Sequence, residues 1–362
     1  MQSPLENMLP DPNPTSTVGL ERLEVRVDDK RARPTASHHL LLAFEFGKVS
    51  GHADHDAVVE VGLRPLDRDR VTEAWWYRGP VEYTRSGPIR VSECDEYTVA
   101  FYNEPLDASL GIREQSRKAY LELIGAIRAT RHTRMVKIWN YFDDINKGEG
   151  DSEIYRQFSV GRAEAFQEMG ICDEESPTGT AIGTHDGGCL VLVAVASNHH
   201  YCPVENPRQT SAFRYPRVYG PKSPKFSRGG FVSSDSHQLI VISGTASVVG
   251  HESNFPYDTQ RQINETITNL EHLCEAISSM EKAESQFYLD QKSVLRVYLK
   301  DPRDFPMVAK KLDKHFNQAF ENISYLHGTI CRRELTVEID GIKRSEEHTS
   351  ELQSQFRISY AV

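Results

Sequence analysis

Short apolar runs separated by turn-forming residues dominate the chain between Leu20 and Tyr102. Runs of this length, rich in β-branched and aromatic residues, predict β-strands connected by tight turns. The four clearest runs are Leu40–Phe44, Ala57–Val61, Trp75–Tyr77 and Tyr97–Phe101. We therefore predict that the folded part of the chain begins with a β-rich segment.

The apolar spacing then changes from that of a strand to that of a helix in two segments. Residues that recur three and four positions apart predict helices over about Arg113–Ala129 and Ser152–Met169, the second capped by Asp151 or Ser152. Further strands are predicted at Met135–Trp139, Thr180–Thr184 and Leu190–Ala196. The first half thus has the order strands, helix, strand, helix, strand, strand.

The second half repeats this order. Helices are predicted at about Thr259–Ser278 and Phe305–Phe320. Strands are predicted at Phe213–Tyr215, Gly230–Ser234, Leu239–Ser243, Thr245–Val249, Val294–Leu299, Tyr325–Cys331 and Leu335–Ile342. We predict an α/β (α+β) protein with two similar halves, each a mixed sheet with two helices packed on one face.

Composition sets the expected domain boundaries. Residues 1–19 are rich in Pro, Asn and Ser and lack the pattern of a signal peptide, so we expect a disordered leader. The halves would span 20–197 and 198–343, joined by a Pro-, Asn- and His-containing loop. From Arg344 the chain reads RSEEHTSELQS, which resembles a translated sequencing-adapter oligonucleotide. We interpret 344–362 as a polar tail that is not native.

Charge and cysteine usage narrow the class of protein. The net charge is −10 and the pI is about 5.8, with no basic stripe of the kind that binds nucleic acid. No apolar run approaches the roughly 18 residues of a membrane span. The six cysteines are scattered without a CxxC pair, which favours reduced thiols and a cytoplasmic location. The histidine pairs lack partners at metal-ligand spacing, so no metal site is predicted.

A carboxylate near the C-terminus occupies an unusual position. Glu338 lies in the middle of an alternating strand pattern, where a buried carboxylate is costly, and Cys331 precedes it by seven residues. Seven is odd, so in one regular strand the two side chains would face opposite sides. They can share a pocket only if the chain breaks at Arg332–Glu334. The alternative is a surface glutamate on an edge strand.

Arg162 interrupts the apolar stripe of the second predicted helix. The stripe is formed by Ile154, Phe158 and Phe166 at steps of four, and Arg162 occupies the missing step. A guanidinium on a core-facing stripe needs an anionic or hydrogen-bonding partner. That partner is either a carboxylate of the protein or a bound anionic ligand. Arg156 lies off the stripe.

Two further stretches are candidate ligand contacts. Residues 205–221 interleave Arg, Tyr and Pro, including Tyr215 and Arg217, and such a segment can bind a carboxylate beside an apolar ring or can serve as a linker. Gly244 lies among small residues at the end of an apolar strand. Small residues permit close ligand approach, or they mark a β-bulge.

Several unusual stretches, taken together and in this order, resemble the chorismatase family. The resemblance covers about Leu20–Ile342. The stretches are Ile138–Asn146, Tyr155–Phe158 with Gly161 and Arg162, Asn206–Pro221 with Phe226–Arg228, Ile242–Ser247 continuing to Gly250–Ser253, and Ile330–Ile339. The resemblance implies two halves with the fold of the reactive-intermediate deaminases (YjgF-like). It also implies chorismate, which carries two carboxylates, as substrate and no metal, nucleotide or flavin cofactor.

The resemblance assigns roles to the candidate residues. Glu338 matches the family's acid, which protonates the enolpyruvyl group, and this requires a raised pKa. Cys331 together with Gly244 resembles the branch that forms 3-hydroxybenzoate, with 4-hydroxybenzoate as a further product in some members. The diol-forming branch tends to carry alanine at the Gly244 position. Two alternatives stay open for Cys331: the two neighbouring arginines lower its pKa and so support nucleophilic help, or it is a small buried apolar residue.

A few arginines are candidates for binding the two carboxylates of the substrate. We favour Arg156, Arg162 and Arg217, with Tyr215, and keep Arg214 and Arg228 as further candidates. Two other functions stay open at this point: a chorismate hydrolase that releases a diol and pyruvate, and a YjgF-like imine deaminase or ligand-binding protein. The sequence leaves the oligomeric state, monomer or trimer, undetermined.

Overall fold

The computed structural model of the chain describes residues 22–28, 35–47, 55–185, 188–233, 237–281, 287–317 and 320–346. The predicted leader, 1–19, lies outside these residues. The predicted tail, 344–362, lies mostly outside them as well. The last strand nevertheless continues to Glu346, three residues into that segment.

The described residues form the following strands and helices in chain order. They are β1 (Leu23–Asp28), β2 (His38–Phe46), β3 (Val58–Val61), β4 (Arg64–Pro65), β5 (Val71–Arg78), β6 (Glu82–Ser86), β7 (Ile89–Glu93), β8 (Thr98–Pro105), α1 (Gly111–Arg128), β9 (Met135–Asp143), α2 (Ile154–Glu168), β10 (Thr178–Thr184), β11 (Cys189–Ala196), β12 (His200–Val204), β13 (Gly229–Ser233), β14 (His237–Ala246), β15 (Val248–Val249), β16 (Glu252–Ser253), α3 (Thr259–Glu281), β17 (Val294–Leu299), α4 (Phe305–Phe316), β18 (Asn322–His327), β19 (Thr329–Ile330) and β20 (Val337–Glu346). None of the helices in these residues is long and apolar enough to cross a membrane.

Two seven-stranded sheets show the predicted duplication. The N-sheet has the order β19-β10-β9-β11-β8-β7-β6, and the C-sheet has the order β12-β13-β14-β20-β17-β18-β4. Each contains one parallel pair, β9 with β10 and β17 with β18, formed across a helix. Helices α1 and α2 pack together on the N-sheet, and α3 and α4 pack on the C-sheet. The α/β class and the two similar halves are therefore confirmed.

The two halves exchange their edge strands. The short strand β19 belongs to the second half of the chain but pairs with β10 of the N-sheet. Conversely, β4 comes from the first part of the chain and pairs with β18 of the C-sheet. Because the chain crosses from the C-sheet to the N-sheet and back between β18 and β20, the segment from Thr329 to Thr336 lies at the junction of the two sheets.

A third sheet completes the central core. Strands β1, β5, β2 and β3 form a four-stranded sheet that the sequence analysis did not separate from the first half. Its apolar face contributes Phe44 and Trp75 to one buried cluster with Trp139 of the N-sheet and Tyr298 of the C-sheet. Edge-to-face aromatic contacts join Trp139 to Phe44 at 5.2 Å and to Trp75 at 6.0 Å. The faces opposite the helices thus close around a shared interior.

A charged pair crosses this interior. Arg296 of β17 donates from Nε and Nη2 to the carboxylate of Glu73 of β5, both at 2.7 Å. Trp75 Nε1 donates to the same carboxylate, and Arg296 Nη1 donates to the Tyr141 hydroxyl at 2.9 Å. Both charged side chains are almost fully buried. Hydrogen bonds on both partners offset the desolvation of the charges, as a buried ion pair requires.

Three local predictions are wrong for identifiable reasons. Phe213–Tyr215 is not a strand, because Ala212–Arg214 forms a 3₁₀ turn ahead of Pro216. The predicted linker between the halves contains β12, an edge strand whose Pro203 has no N–H to offer and is tolerated there. Leu239–Ser243 and the start of Thr245–Val249 form one strand, β14, interrupted only by a bulge.

Helix ends also differ from the predictions. A 3₁₀ turn over Gly150–Ser152 precedes α2, whose N-cap is Glu153 instead of Asp151 or Ser152. Helix α4 ends at Phe316, because Asn317 adopts the left-handed conformation with φ of 51° and closes the helix. Apolar spacing locates a helix better than it locates its ends, which depend on single backbone angles.

The buried pair between Glu73 and Arg296 yields a stability prediction. Replacing Glu73 by Gln should lower the free energy of unfolding by about 3–5 kcal/mol, because Arg296 would stay buried without a counter-charge. Chemical denaturation monitored by tryptophan fluorescence measures the change. The matched control is Glu168→Gln, which removes a surface pair with Arg117 and should change stability little. Equal effects of the two substitutions would contradict the argument.

Candidate active site

A β-bulge makes room for the carboxyl of Glu338. In the pairing of β14 with β20, Ile242 lies opposite Gly341 and Thr245 opposite Ile339, so two residues, Ser243 and Gly244, face one. A Cβ on Gly244 would lie 1.9 Å from Oε1 of Glu338. Both earlier interpretations of this glycine apply, because the bulge is also the place where a side chain approaches the backbone.

Glu338 is a buried carboxyl without a protein partner. Its side chain is 4% exposed, and its neighbours Val337 and Ile339 point to the other side of the sheet, into the helix-covered core. Within the described residues no hydrogen bond or ion pair involves its carboxyl. Burial, reinforced by the charge of Asp340 and opposed by Lys137 and Arg228, raises the pKa of Glu338 to about 8. The carboxyl therefore holds its proton at neutral pH.

A polar cluster lies beside Glu338 on the interior face of the sheets. Asp340 Oδ2 accepts hydrogen bonds from Trp139 Nε1 at 2.9 Å and Thr180 Oγ1 at 2.6 Å, and Lys137 Nζ lies 3.8 Å away. Lys137 donates to Thr180 Oγ1 at 3.0 Å and to a backbone carbonyl at 2.6 Å. Burial lowers the pKa of Lys137 to about 8 despite the nearby Asp340. The backbone N–H of Gly244 also donates to Thr180 Oγ1, which joins this cluster to the bulge.

The sequence analysis did not identify this cluster. Lys137 lies inside the apolar run Met135–Trp139, and Asp340 follows Glu338 by two residues and so shares its face of the strand. A charged residue at an interior position of an apolar strand is itself a signal, because burial of an unpaired charge is costly. Both signals were present in the sequence and could have been used.

Arg162 is buried on α2 as its position in the stripe predicts. The residue is 1% exposed, its guanidinium stacks on Phe158 at 5.3 Å, and it is hydrogen-bonded to the Tyr120 hydroxyl. Its Nε and Nη2 atoms have no hydrogen-bond partner, and no carboxylate in the described residues pairs with it. The predicted alternative of a buried salt bridge is therefore not found there. Two unsatisfied donors on a buried cation are the arrangement expected of a site for an anionic ligand.

Arg228 supplies a second buried cation. It is 5% exposed, and its Nη2 donates to the Tyr215 hydroxyl at 2.5 Å and to the Thr210 carbonyl at 2.9 Å. Its Nε atom has no partner. Its charge opposes the raised pKa of Glu338, which places it near that carboxyl. Arg228 was only a further candidate in the sequence, and Tyr215, a favoured residue, is the side chain that orients it.

The chain breaks between Cys331 and Glu338 as predicted. Strand β19 ends at Ile330, the Leu335 N–H donates to the Arg332 carbonyl at 3.1 Å to close a turn, and β20 begins at Val337. The turn brings the Cys331 thiol and the Glu338 carboxyl close enough that the charge of Glu338 raises the pKa of Cys331. The two side chains therefore share a pocket.

The expected activation of Cys331 is wrong. Burial, with a contribution from Glu338, raises the pKa of the thiol to about 12. The two neighbouring arginines point elsewhere. Arg332 stacks on Tyr219 at 4.1 Å and donates to the His251 carbonyl at 2.8 Å, whereas Arg333 pairs with Glu149 at 3.2 Å. The charge of Arg332 still acts to lower the pKa of Cys331, but burial and Glu338 outweigh it, so Cys331 is a neutral thiol.

Two predicted ligand-binding arginines lie farther out. Arg217 is exposed and forms a bidentate pair with Asp151, at 2.8 and 2.5 Å, so the structure does not bring it to the buried cations. Arg156 is half-buried, contacts Gly220 through its aliphatic stem, and has only a 3.9 Å approach to Glu153. Its guanidinium is the more available of the two.

Tyr155 belongs to a stretch that resembles the family, but it was not among the predicted site residues. Burial raises the pKa of its hydroxyl, and the charges that act on it are those of Cys331, Arg162, Glu338 and Arg332. Its phenol therefore lies among the side chains of the site. No group of His, Cys, Asp and Glu residues suited to a metal ion is found in the described part of the chain.

This arrangement supports general-acid chemistry on an anionic ligand. A neutral carboxyl can donate a proton, and two buried guanidinium groups with free donors can hold negatively charged groups nearby. The neutral thiol and the bulge glycine border the carboxyl. Because the site excludes most solvent, these electrostatic interactions are stronger than in water.

Comparisons with known proteins identify relatives. A family model described as "Chorismatase FkbO/Hyg5-like, N-terminal" matches residues 73–196. The chain is 27% identical to a 3-hydroxybenzoate synthase of Streptomyces hygroscopicus, over 91% of this chain and 99% of that protein. It is 30% identical to a chorismatase of Streptomyces rapamycinicus, over 75% of this chain and 81% of that protein.

A solved structure agrees with these relatives. The fold superposes on the crystal structure of a chorismatase with a TM-score of 0.79 and 25% identity. The match covers 89% of this chain and 98% of that one. The likeness therefore extends over both halves.

The unpaired state of Arg162 leads to a stability prediction. Replacing Arg162 by Met should leave the free energy of unfolding of the ligand-free protein unchanged or raise it by about 1 kcal/mol, because an uncompensated charge leaves the core. The matched control is Arg296→Met, which strands the Glu73 carboxylate and should destabilise strongly. Chemical denaturation compares the two variants. A large loss of stability in both would show that Arg162 is structural.

Proposed function

This chain belongs to the chorismatase family, and on that premise we propose that it converts chorismate to 3-hydroxybenzoate and pyruvate, with Glu338 as the general acid. One observation carries the proposal. Among the described residues Glu338 is a buried carboxyl with no hydrogen-bond partner and a pKa of about 8, and it lies near Arg228, a cation with an unused donor. An acid that must act at neutral pH needs this environment.

The first step uses the proton of Glu338. Cleavage of the enol ether begins when the terminal methylene carbon accepts a proton, which leaves a positive charge shared between the ether oxygen and its carbon. The carboxylate that forms on Glu338 stabilises this charge, and the nearby Lys137 and Arg228 stabilise the carboxylate. Water then adds to that carbon, the bond between the carbon and the ring oxygen breaks, and pyruvate is released with the oxygen of the water as its keto oxygen.

Glu338 also regains the proton that it donates in the first step. Pyruvate and 3-hydroxybenzoate together contain the atoms of chorismate, so any water consumed in breaking the ether returns when the ring loses its 4-hydroxyl. The methyl group of pyruvate has gained one proton, and the ring loses one as it becomes aromatic. The Glu338 carboxylate can take up that proton and is then ready for another cycle.

The two carboxylates of chorismate are assigned to the buried cations. Arg162 offers Nε and Nη2, which suit bidentate contact with one carboxylate. Arg228, oriented by Tyr215, offers Nε to the other, and Arg156, which has only a 3.9 Å approach to Glu153, stays a candidate for a further contact. We do not assign Arg217 to either substrate carboxylate, because its guanidinium forms an ion pair with Asp151.

The product assignment depends on Gly244 and Cys331. A side chain at position 244 would displace the Glu338 carboxyl, so glycine permits a position of the acid that alanine would not. The neutral Cys331 thiol beside that carboxyl can donate a weak hydrogen bond to an oxygen that leaves the ring. These features support an aromatic product, with 4-hydroxybenzoate as a minor one. The proposed reaction needs no metal, nucleotide or flavin.

The cellular setting is part of the same proposal. All six cysteines are free, Cys94, Cys172, Cys189, Cys202, Cys274 and Cys331. Chorismate is a small hydrophilic metabolite, and free thiols fit a reducing compartment. We therefore assign the enzyme to the cytoplasm.

Incubation of the purified protein with chorismate tests the function, with Glu338→Gln as the decisive variant. We expect 3-hydroxybenzoate and pyruvate by chromatography, and a loss of about 10²–10⁴-fold in Glu338→Gln, since the proton donor is removed. The wild-type rate should fall as pH rises through about 8, because only the protonated form of Glu338 donates. The control Glu164→Gln, a surface residue paired with Arg113, should turn over normally.

The same assay separates the alternatives. A diol with pyruvate as the only products would assign the chain to the hydrolases of the family. No consumption of chorismate by folded protein would favour an imine deaminase or a ligand-binding role. Near-normal pyruvate release by Glu338→Gln would refute the assignment of the acid.

Cys331 should influence the product more than the rate. In Cys331→Ala we expect pyruvate release within a few-fold of wild type, because Glu338 performs the proton transfer, and a changed ratio of ring products. Quantitative chromatography of the ring products measures the ratio. The control Cys189→Ala removes a thiol of similar partial burial outside the site. An unchanged product ratio in Cys331→Ala would rule out the proposed role.

A further inference from the structure

Two carboxyls lie side by side on β20 in opposite surroundings. Glu338 and Asp340 are two residues apart in a strand, so both project from the same face into the interior between the sheets. They are 4% and 1% exposed. A negative charge on Asp340 therefore disfavours a second negative charge on Glu338.

Asp340 is surrounded by hydrogen-bond donors and lies close to a cation. Its Oδ2 accepts from Trp139 Nε1, Thr180 Oγ1 and, at 3.3 Å, the Tyr298 hydroxyl. Lys137 Nζ lies 3.8 Å from the same oxygen. The three hydrogen bonds and the nearby ammonium group all act on one oxygen of the Asp340 carboxyl.

The Glu338 carboxyl accepts no hydrogen bond from the described residues, but several charged groups lie near it. Asp340 faces it from its own strand, Lys137 from β9 and Arg228 from the segment before β13. Two neutral groups, the Cys331 thiol and the Tyr155 phenol, border it from the turn and from α2. Behind Asp340 the network continues through Tyr298 and Tyr141 to the pair of Arg296 and Glu73, whose charges compensate each other.

We propose that Asp340 is a positioning residue that keeps Glu338 protonated between turnovers, and that Lys137 limits this effect. The negative charge of Asp340 acts on Glu338, so a second charge on Glu338 is unfavourable until the developing cation of the substrate compensates it. After proton transfer the two carboxylates repel each other, which favours the return of a proton to Glu338. The inference rests on the proposed function of Glu338 as the acid.

The test compares pH profiles of kcat/KM in two variants that should shift in opposite directions. In Asp340→Asn the like charge is lost, so the fall in rate that we expect of wild type near pH 8 should move down by about one pH unit or more. In Lys137→Met the opposing cation is lost, so the fall should move up. General damage to the core would not shift the two profiles in opposite directions, because both residues belong to one hydrogen-bonded cluster.

A second measurement does not depend on turnover. Infrared difference spectra between each protein and its Glu338→Gln counterpart isolate the C=O stretch of the protonated carboxyl, and its loss with rising pH titrates Glu338 directly. We expect the titration to move with the pH profile in wild type, Asp340→Asn and Lys137→Met. This readout holds even if a variant turns over too slowly for kinetics, and even if wild type does not consume chorismate.

The outcomes distinguish a failure of the proposed role of Asp340 from a failure of the proposed reaction. Opposite shifts in the infrared titration would support the role of Asp340, whether or not chorismate is the substrate. A Glu338 titration in Asp340→Asn that stays in place or moves up would overturn the inference, even in an enzyme that makes 3-hydroxybenzoate. Absence of turnover in wild type, with the expected infrared shifts, would refute only the proposed function.

Discussion

The closed interior between three sheets permits a buried charge only where another element compensates it. Glu73 of the four-stranded sheet compensates Arg296 of the C-sheet, and Asp340 of the C-sheet receives donors from Trp139 and Lys137 of the N-sheet. Each compensation crosses from one sheet to another. Because a charge left alone in such an interior would cost several kcal/mol, these pairs restrict how the sheets can be positioned against one another.

The buried charged side chains that lack such compensation lie at the candidate active site. Within the part of the chain that the structure describes, Arg162 and Arg228 keep donor atoms without partners, and the Glu338 carboxyl accepts no hydrogen bond. These three side chains belong to three separate segments, and each is almost fully buried. A folded protein that leaves such groups unsatisfied in one region loses stability there, which is the usual cost of a preorganised binding site.

The site forms where the duplicated halves meet. The exchange of β19 into the N-sheet takes the chain away from the C-sheet for a few residues and returns it at β20. This detour creates the turn that brings Cys331 to Glu338, and it lies beside the bulge at Gly244. A regular strand from Tyr325 to Ile342, as alternation alone would allow, would have put the thiol and the carboxyl on opposite faces.

Local patterns in the sequence determined the elements, the duplicated order of strands and helices, the burial of Arg162, and the break between Cys331 and Glu338. Such patterns depend on spacing along the chain, which periodicity reports directly. Only the tertiary structure decided which charged groups meet. Arg332 donates to the His251 carbonyl, Arg333 pairs with Glu149, and Arg217 pairs with Asp151. Asp340 and Lys137 lie together beside Glu338. Those contacts join residues far apart in sequence, and no spacing rule specifies them, because they arise from how the sheets pack.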